Sequence, residues 1–558
     1  VEEQAGLYIE NLESRHSKGN GKLGGNMRHF LATAALGALL IGALPINSFA
    51  ETPKDQLVVA TTMSNILTLD PAAITGRETV QVLNNTYDTL VILSPEDRSI
   101  QPRLAERWEV AEDRMSIRFH LRSDAKFESG NAVTAQDVAW SLKRLLVRNL
   151  AQSSFLKTRG YKVENADKLF VAENDNTFVL NLPQPDDPSL LLMILAQNGP
   201  GSIIDSKTAL ANEKDGDLGA SWLTLNSAGS GPFKLTQWKS NEFIILTRND
   251  DYWGEKPAMK RVLMRHLPES QSQRLMLEKG DIDVAYSLQA PDLRSLEADK
   301  DIAIESTPGS GFYYLSVSMK DERFANKKVR EALRYLIDYE GLDKAIMPYY
   351  GKLHQRPIST GFLGALPDEG YKLDIEKAKA LLAEGGFPNG FKTTLRVLSE
   401  DPFMKAATAI QNTLAQAGIQ AEIISGSGDQ IYGAMRERKF ELLLGRGGGG
   451  QQPHPDNNLR SIAYNPNNAD DAKLTNYQGW RTSFYDEKLN KMIEDALLER
   501  DIAKQGKLYE DIQTYMDEIV MSIQPFSEVV DTAAFRSDVK GMIVSPWLSR
   551  FESISKDR

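Results

Sequence analysis

The sequence contains no cysteine. That absence excludes disulfides, thiolate metal sites, cysteine-ligated iron–sulfur clusters and a thiol nucleophile together. Basic charge is in short supply as well: 65 Lys and Arg stand against 76 Asp and Glu, a net charge of −11. Nucleic-acid binders carry a basic footprint, so no nucleic-acid partner is expected. Beyond residue 50 the histidines are His120, His266, His354 and His454, and none sits in a metal-site pattern with another ligand type. Neither a metal nor a cofactor is expected. No G-x-S-x-G elbow occurs, and no paired-carboxylate site can be picked out, so catalysis is not supported. Long apolar runs are absent apart from Leu31 to Leu44, which is too short to span a hydrocarbon core of about 30 Å.

What is present is a 558-residue chain with 41% hydrophobic residues, enough for three or four domain-sized units. Met27-Arg28-His29-Phe30 forms a basic head, the apolar run follows, and Ser48-Phe49-Ala50 has the small residues of a cleavage site. Residues 27–50 are therefore expected to be a secretory signal peptide, and residues 1–26 an upstream extension foreign to the native chain. No lipid-bearing cysteine stands at the cleavage site. The expected product starts at Glu51 and is freely soluble in the periplasm.

Strand-like and helix-like stretches alternate along the remainder, which predicts an α/β protein. Leu57 to Thr62 reads as a first strand, and Ser116 to Arg122 as another with Ile117, Phe119 and Leu121 on one face. Thr134 is placed to cap a helix whose stripe is Val138, Leu142, Leu145 and Leu146. Between Thr393 and Gly450 the pattern is βαβαβ. The strands are 393–398, 419–424 and 440–444; Asp401 is expected to cap the first helix with Pro402 at its first position and Gly418 to stop it, and the second helix starts near Asp429. Such a unit is parallel and right-handed, and its ligands bind beyond the carboxyl ends of the strands. Two loops leave that edge, Ser399-Glu400-Asp401 and Gly445 to Asp456. The second contains a formal G-x-G-x-x-G, but a dinucleotide site needs a helix N-terminus directly afterwards. Pro453 and Pro455 are expected to forbid that helix, leaving a backbone-rich loop able to approach a ligand closely.

Several blocks recur in order along the chain. Gln101 to Trp108 leads into Ile117 to Arg122, Lys126-Phe127 and Ala135 to Val138. Gly229 to Phe233, Asp251 to Gly254 and Gly280 to Val284 follow. Later come Val329 to Leu333 with Ile337-Asp338, and Ala378 to Leu382 with Gly386-Phe387. Together they resemble family 5 of the extracytoplasmic solute-binding proteins, the substrate-binding proteins of peptide/nickel-type ABC transporters. The resemblance implies a two-lobed Venus-flytrap with a two-stranded hinge and an extra subdomain on the first lobe. Lobe I is expected at 51–90, 229–308 and 527–558, the extra subdomain at 91–228 and lobe II at 309–526.

The resemblance also implies a cleft that captures a small molecule or short peptide and delivers it, as a monomer, to an ABC permease and ATPase of the inner membrane. The ligand-binding residues it points to are Ser64 and Asn65 after the first strand, Glu400, Arg446, Gly447, Gly448, Gln451, Gln452 and His454 at the sheet edge, and Tyr477, Trp480 and Arg481 further along. For the last three, lobe-surface packing is an equal alternative. Dipeptide binders hold the peptide amine with an Asp and the carboxylate with an Arg. Here Gly447 to Gln451 occupy the region of the Asp, and Ser399-Glu400 stand where the Arg would be. An opine-like, sugar-containing or other non-peptide solute is therefore the alternative ligand. A haem or nickel carrier is a further one, and a secreted hydrolase is the rival from another class.

Overall fold

Leu57 to Ala60 is an unbroken apolar run, as a strand covered on both faces must be. It forms the centre of the strand Gln56–Thr61, which pairs in parallel with Arg261–His266 on one side and Val284–Ala285 on the other. The computed structural model describes residues 51–74, 76–449, 452–546 and 549–558. The signal peptide and upstream extension expected from the sequence lie outside them. The described residues belong to one unit by their contacts.

Helices flank a sheet of 11 strands, ten of them in one path. The path runs Gln420–Gly426, Lys392–Leu398, Leu442–Gly447, Ile302–Val317, Ile523–Arg536, Val284–Ala285, Gln56–Thr61, Arg261–His266, Phe243–Arg248 and Phe233–Lys239. Ile302–Val317 and Ile523–Arg536 are 16 and 14 residues long and antiparallel to one another. At about 3.3 Å per residue they reach through both halves of the sheet. Their register shifts between Pro308 and Phe312, around Gly309, Ser310 and Gly311. On one side of that bulge they join the strands beside Gln56–Thr61, and on the other the strands beside Lys392–Leu398. A bulge lets a strand bend without losing its pairing on either side. These two strands are the hinge, and the fold is the two-lobed one expected.

The βαβαβ unit forms as read. Lys392–Leu398 pairs in parallel with both Gln420–Gly426 and Leu442–Gly447. The helix Phe403–Gln416 buries Phe403, Ala406, Ala407, Ile410 and Leu414, and Gly418 follows it at φ 87°. Two details differ from expectation. Asp401 does not cap this helix, because its carboxylate is engaged 2.5 Å away by Lys405, and Pro402 occupies the cap position. A helix, Pro455–Ile462, does follow the glycine-rich loop. Pro455 stands at its N-terminal position, where the missing N–H costs nothing.

A separate antiparallel sheet of four strands, Ala105–Val110, Ser116–Leu121, Thr177–Asn181 and Phe170–Asn174, packs on the helix Ala135–Arg148. Thr134 opens that helix with a reciprocal box: its side chain accepts from the Asp137 N–H, and Asp137 accepts from the Thr134 N–H. Val138, Leu142, Leu145 and Leu146 are all buried. The block containing Arg103, Tyr252 and Trp253 is scaffold, since Arg103 and the Trp253 indole both donate to buried Asp88, at 2.8 and 3.1 Å.

Candidate functional site

The strand Leu442–Gly447 outruns its neighbour Lys392–Leu398, leaving the backbone of Arg446 without a strand partner on that side. Tyr432 fills the gap: its hydroxyl accepts from the Arg446 N–H at 3.0 Å and donates to the Arg446 carbonyl at 3.2 Å. The Arg446 side chain is exposed, as is Glu400 at the end of the adjoining strand.

The glycines that follow are required by close approach to the hinge. A Cβ on Gly448, whose φ is 84°, would lie 2.6 Å from Ile462, and one on Gly449 would lie 1.9 Å from the carbonyl oxygen of Ser310. The Asn458 amide ties the two segments together, donating to Ser310 O at 2.7 Å and Gly448 O at 2.9 Å. Gly447 is tight too, since its Cβ would stand 2.9 Å from the Gln478 amide. Gln451 lies outside the described residues.

Past the loop, the chain crosses to the segment 186–197. Gln452 donates to Gln197 at 3.0 Å. His454 caps the helix Pro455–Ile462, its Nδ1 accepting from the Asp456 N–H at 3.2 Å, so a neutral ring carries its proton on Nε2. That Nε2 stands 3.4 Å from Asp187. Asp187 also accepts from Gln505 at 2.8 Å, from Arg114 at 3.0 Å and from the Ser189 N–H at 2.9 Å. Burial would raise its pKa, but the bonds from His454, Gln505 and Ser189 outweigh burial and hold the carboxyl well below the usual range.

Beside these contacts lies a cavity of about 620 Å³. Phe155, Arg159, Asp186 and Ile194 form one wall, and Arg460, Tyr477 and Glu494 part of the other. Gly449 and Gln452 join them, so two of the residues expected from sequence, Gln452 and Tyr477, line it. Tyr477 is held edge-on against Tyr464, with ring centres 5.5 Å apart. Trp480 is buried, donating its indole N–H to Ala469 O at 2.9 Å with Arg438 stacked 4.6 Å over its ring. That is lobe packing. Arg481 donates to Thr475 O at 2.6 Å. Ser64 and Asn65 are exposed in the turn after the first strand and do not line this cavity.

Sequence reasoning missed Phe155, Arg159, Asp186, Ile194, Arg460 and Glu494. They come from segments distant in the chain, and no local motif marks them. Among the described residues no cluster of three or more His, Asp or Glu is placed to hold a metal, and no helix is long and apolar enough to cross a membrane.

The site is assembled from a hinge, a close-packed glycine loop and a cavity with two walls. The chain is 28% identical over 524 residues to the Escherichia coli protein named "Probable D,D-dipeptide-binding periplasmic protein DdpA", covering 91% of this chain and 95% of that one. It is 27% identical over 496 residues to heme-binding protein A of Haemophilus influenzae, covering 84% and 87%. HbpA2 of Haemophilus parasuis shares the fold with a TM-score of 0.77, at 23% identity, over 90% of this chain and 100% of that one. DppA of Helicobacter pylori, solved with the peptide STSA, does so with a TM-score of 0.70 at 24% identity, over 90% and 98%. The family model for bacterial extracellular solute-binding proteins, family 5, middle region, matches residues 99–470. With two thirds of its length matched, the chain belongs to family 5 of the bacterial extracellular solute-binding proteins.

Proposed function

We propose that this protein is the periplasmic substrate-binding component of an ABC importer and that it captures a short peptide or peptide-like solute. Lobe I is assigned to 51–90, 229–308 and 527–558, the extra subdomain to 91–228 and lobe II to 309–526. The observation that carries the reading is the cavity of about 620 Å³, whose two walls come from the distant segments 154–194 and 449–498. Its volume falls within the range of about 300–1,000 Å³ typical of small-molecule sites. A ligand touching both walls favours the conformation in which they approach, so binding and closure are one equilibrium. The peptide-binding relatives support the ligand class, and the closed form is what a permease would receive. The role is capture, with no chemistry assigned.

Native mass spectrometry of protein purified from the periplasm tests this. The expected spectrum has a protein mass beginning at Glu51 and a ladder of adducts whose masses match short peptides. A single adduct with the mass of a sugar acid or a porphyrin would overturn the peptide assignment. A cytoplasmic protein retaining Met27 would overturn the location.

A further inference from the structure

A buried histidine, His354, sits against the hinge and outside the lining of the cavity. The short strand Gly351–Leu353 pairs with the hinge strand Ile523–Arg536, and the chain leaves the sheet at His354. The His354 ring is stacked on Phe312, with ring centres 5.8 Å apart, where the other hinge strand shifts register. Its Nε2 lies 2.9 Å from the Ile358 carbonyl oxygen, and its Nδ1 lies 3.1 Å from a carboxylate oxygen of Asp368. A carbonyl and a carboxylate only accept. A neutral imidazole carries one N–H and satisfies one of them, whereas the imidazolium satisfies both.

The charged groups around the ring favour that second proton. Asp368 also accepts from the Gln355 N–H at 2.7 Å. Burial would raise its carboxyl, but His354, that N–H and the nearby Arg356 hold it below the usual carboxylate range. Glu528, opposite Phe312 in the hinge ladder and 1% exposed, is the second carboxyl acting on the ring; burial raises its own pKa, with His354 and Arg98 opposing. For His354 itself burial disfavours the charge, yet Asp368, Glu528 and the Ile358 carbonyl outweigh burial and raise its pKa above the ordinary value. The stacked Phe312 face is a further favourable surface for a cation.

The imidazolium closes the turn 354–358 and so places the residues after it. The Ser359 N–H reaches the Asn458 amide oxygen at 3.4 Å, and Asn458 in turn holds Ser310 of the hinge. The Thr360 N–H donates to Glu528 at 3.0 Å, and the Thr360 carbonyl accepts from Arg98 at 2.9 Å. The segment 354–360 is thereby fastened to both long strands.

We propose that His354 is a pH-dependent brace of the hinge: its imidazolium fastens 354–360 across the two long strands, and loss of its proton opens the turn and leaves the hinge freer to bend. Because the folded value is raised, the brace is fully present below the unfolded value of about 6.5 and is lost as pH rises through the folded one. The brace goes beyond capture and does not depend on which ligand the cavity takes.

Hydrogen exchange read by mass spectrometry tests it on ligand-free protein, native against H354Q, at about pH 5.5 and about pH 8.5, on either side of the histidine range. Comparing the two proteins at one pH cancels the pH dependence of exchange itself. At the lower pH the amides of 354–360 and 524–530 are expected to exchange at least about 10-fold faster in H354Q, the range for a lost charge-assisted hydrogen bond. At the higher pH the two proteins should agree, and the remote strand Ser116–Leu121 should match at both. D368N keeps the ring and is expected to lower the His354 titration midpoint, read by NMR, by about one pH unit or more. A difference between native protein and H354Q that is equal at both pH values, absent at both, or shared by Ser116–Leu121 would overturn the brace. An unshifted midpoint in D368N would overturn it as well.

Discussion

Asp187 joins segments far apart in the chain, accepting from Arg114, Ser189 and Gln505. It caps its own helix, Pro188–Leu195, and reaches Gln505 and His454. Its carboxyl is held below the usual range in the folded protein, so the unfolded chain binds a proton there more readily than the folded one. The stabilisation is therefore complete above the unfolded value of about 3.9 and is lost as pH falls through the folded value. Asp187→Asn is expected to cost about 3 kcal/mol at pH 7, because Arg114 loses its counter-charge and the bonds from Gln505 and the Ser189 N–H lose a charged acceptor. Thermal unfolding of both proteins from pH 7 to pH 3 should show the gap narrowing on acidification. A gap that is constant with pH would mean that the carboxylate is not charged in the fold.

Glu128 runs the opposite way. Burial raises its carboxyl to about 7, with Ser227 as its hydrogen-bond donor opposing the shift. A carboxyl whose folded pKa is raised favours the folded state while protonated, so its contribution fades between about pH 4.3 and pH 7. Glu128→Gln keeps an acceptor for Ser227 and stays neutral. The variant should gain unfolding temperature relative to the native protein as pH rises across that interval, and no relative gain would refute the buried charge.

At the scale of elements, the glycine-rich loop and the hinge act as one part. Gly449 lies against Ser310, where the hinge strands shift register, and Asn458 bonds both segments. Gly449→Ala forces a methyl group to within 1.9 Å of a backbone oxygen, a clash no side-chain rotation relieves. It is expected to destabilise by about 1–3 kcal/mol, or to displace the loop and weaken ligand binding. Chemical denaturation and calorimetry together would register either outcome. Native values in both would show that the loop is not packed on the hinge. Glycine here is a packing requirement and not a phosphate cradle, which is why the G-x-G-x-x-G spacing misleads.

For the whole molecule, the proposed capture requires the lobes to rotate about the two long strands, while the polar contacts of Gln452 with Gln197 and of His454 and Gln505 with Asp187 tie one flank together. Ligand that binds only the closed form stabilises it by mass action, about 2.7 kcal/mol at a hundredfold excess over Kd. Saturating peptide should therefore raise the unfolding midpoint and shrink the radius of gyration measured by X-ray scattering. A raised midpoint at constant radius would show a cavity that fills without lobe movement.

Local structure was legible in the chain because it depends on near neighbours. The Thr134 cap, the stripe from Val138 to Leu146, the βαβαβ order of 392–447 and the stop at Gly418 all follow from periodicity, capping and backbone restriction within a few residues. The limits of such reading were local as well: Lys405 takes the Asp401 side chain from its cap, and Pro455 begins a helix that prolines were expected to prevent. The ordered blocks along the chain pointed to the family, and hence to two lobes. The tertiary structure alone decided which side chains share a space. Tyr477 faces the cavity while Trp480, three residues on, is packed away under Arg438. Phe155, Arg159 and Glu494 meet across more than 300 residues of chain. Backbone preferences decay within a turn or two, whereas a cavity wall is set by how whole elements pack, and that information is spread over the entire sequence.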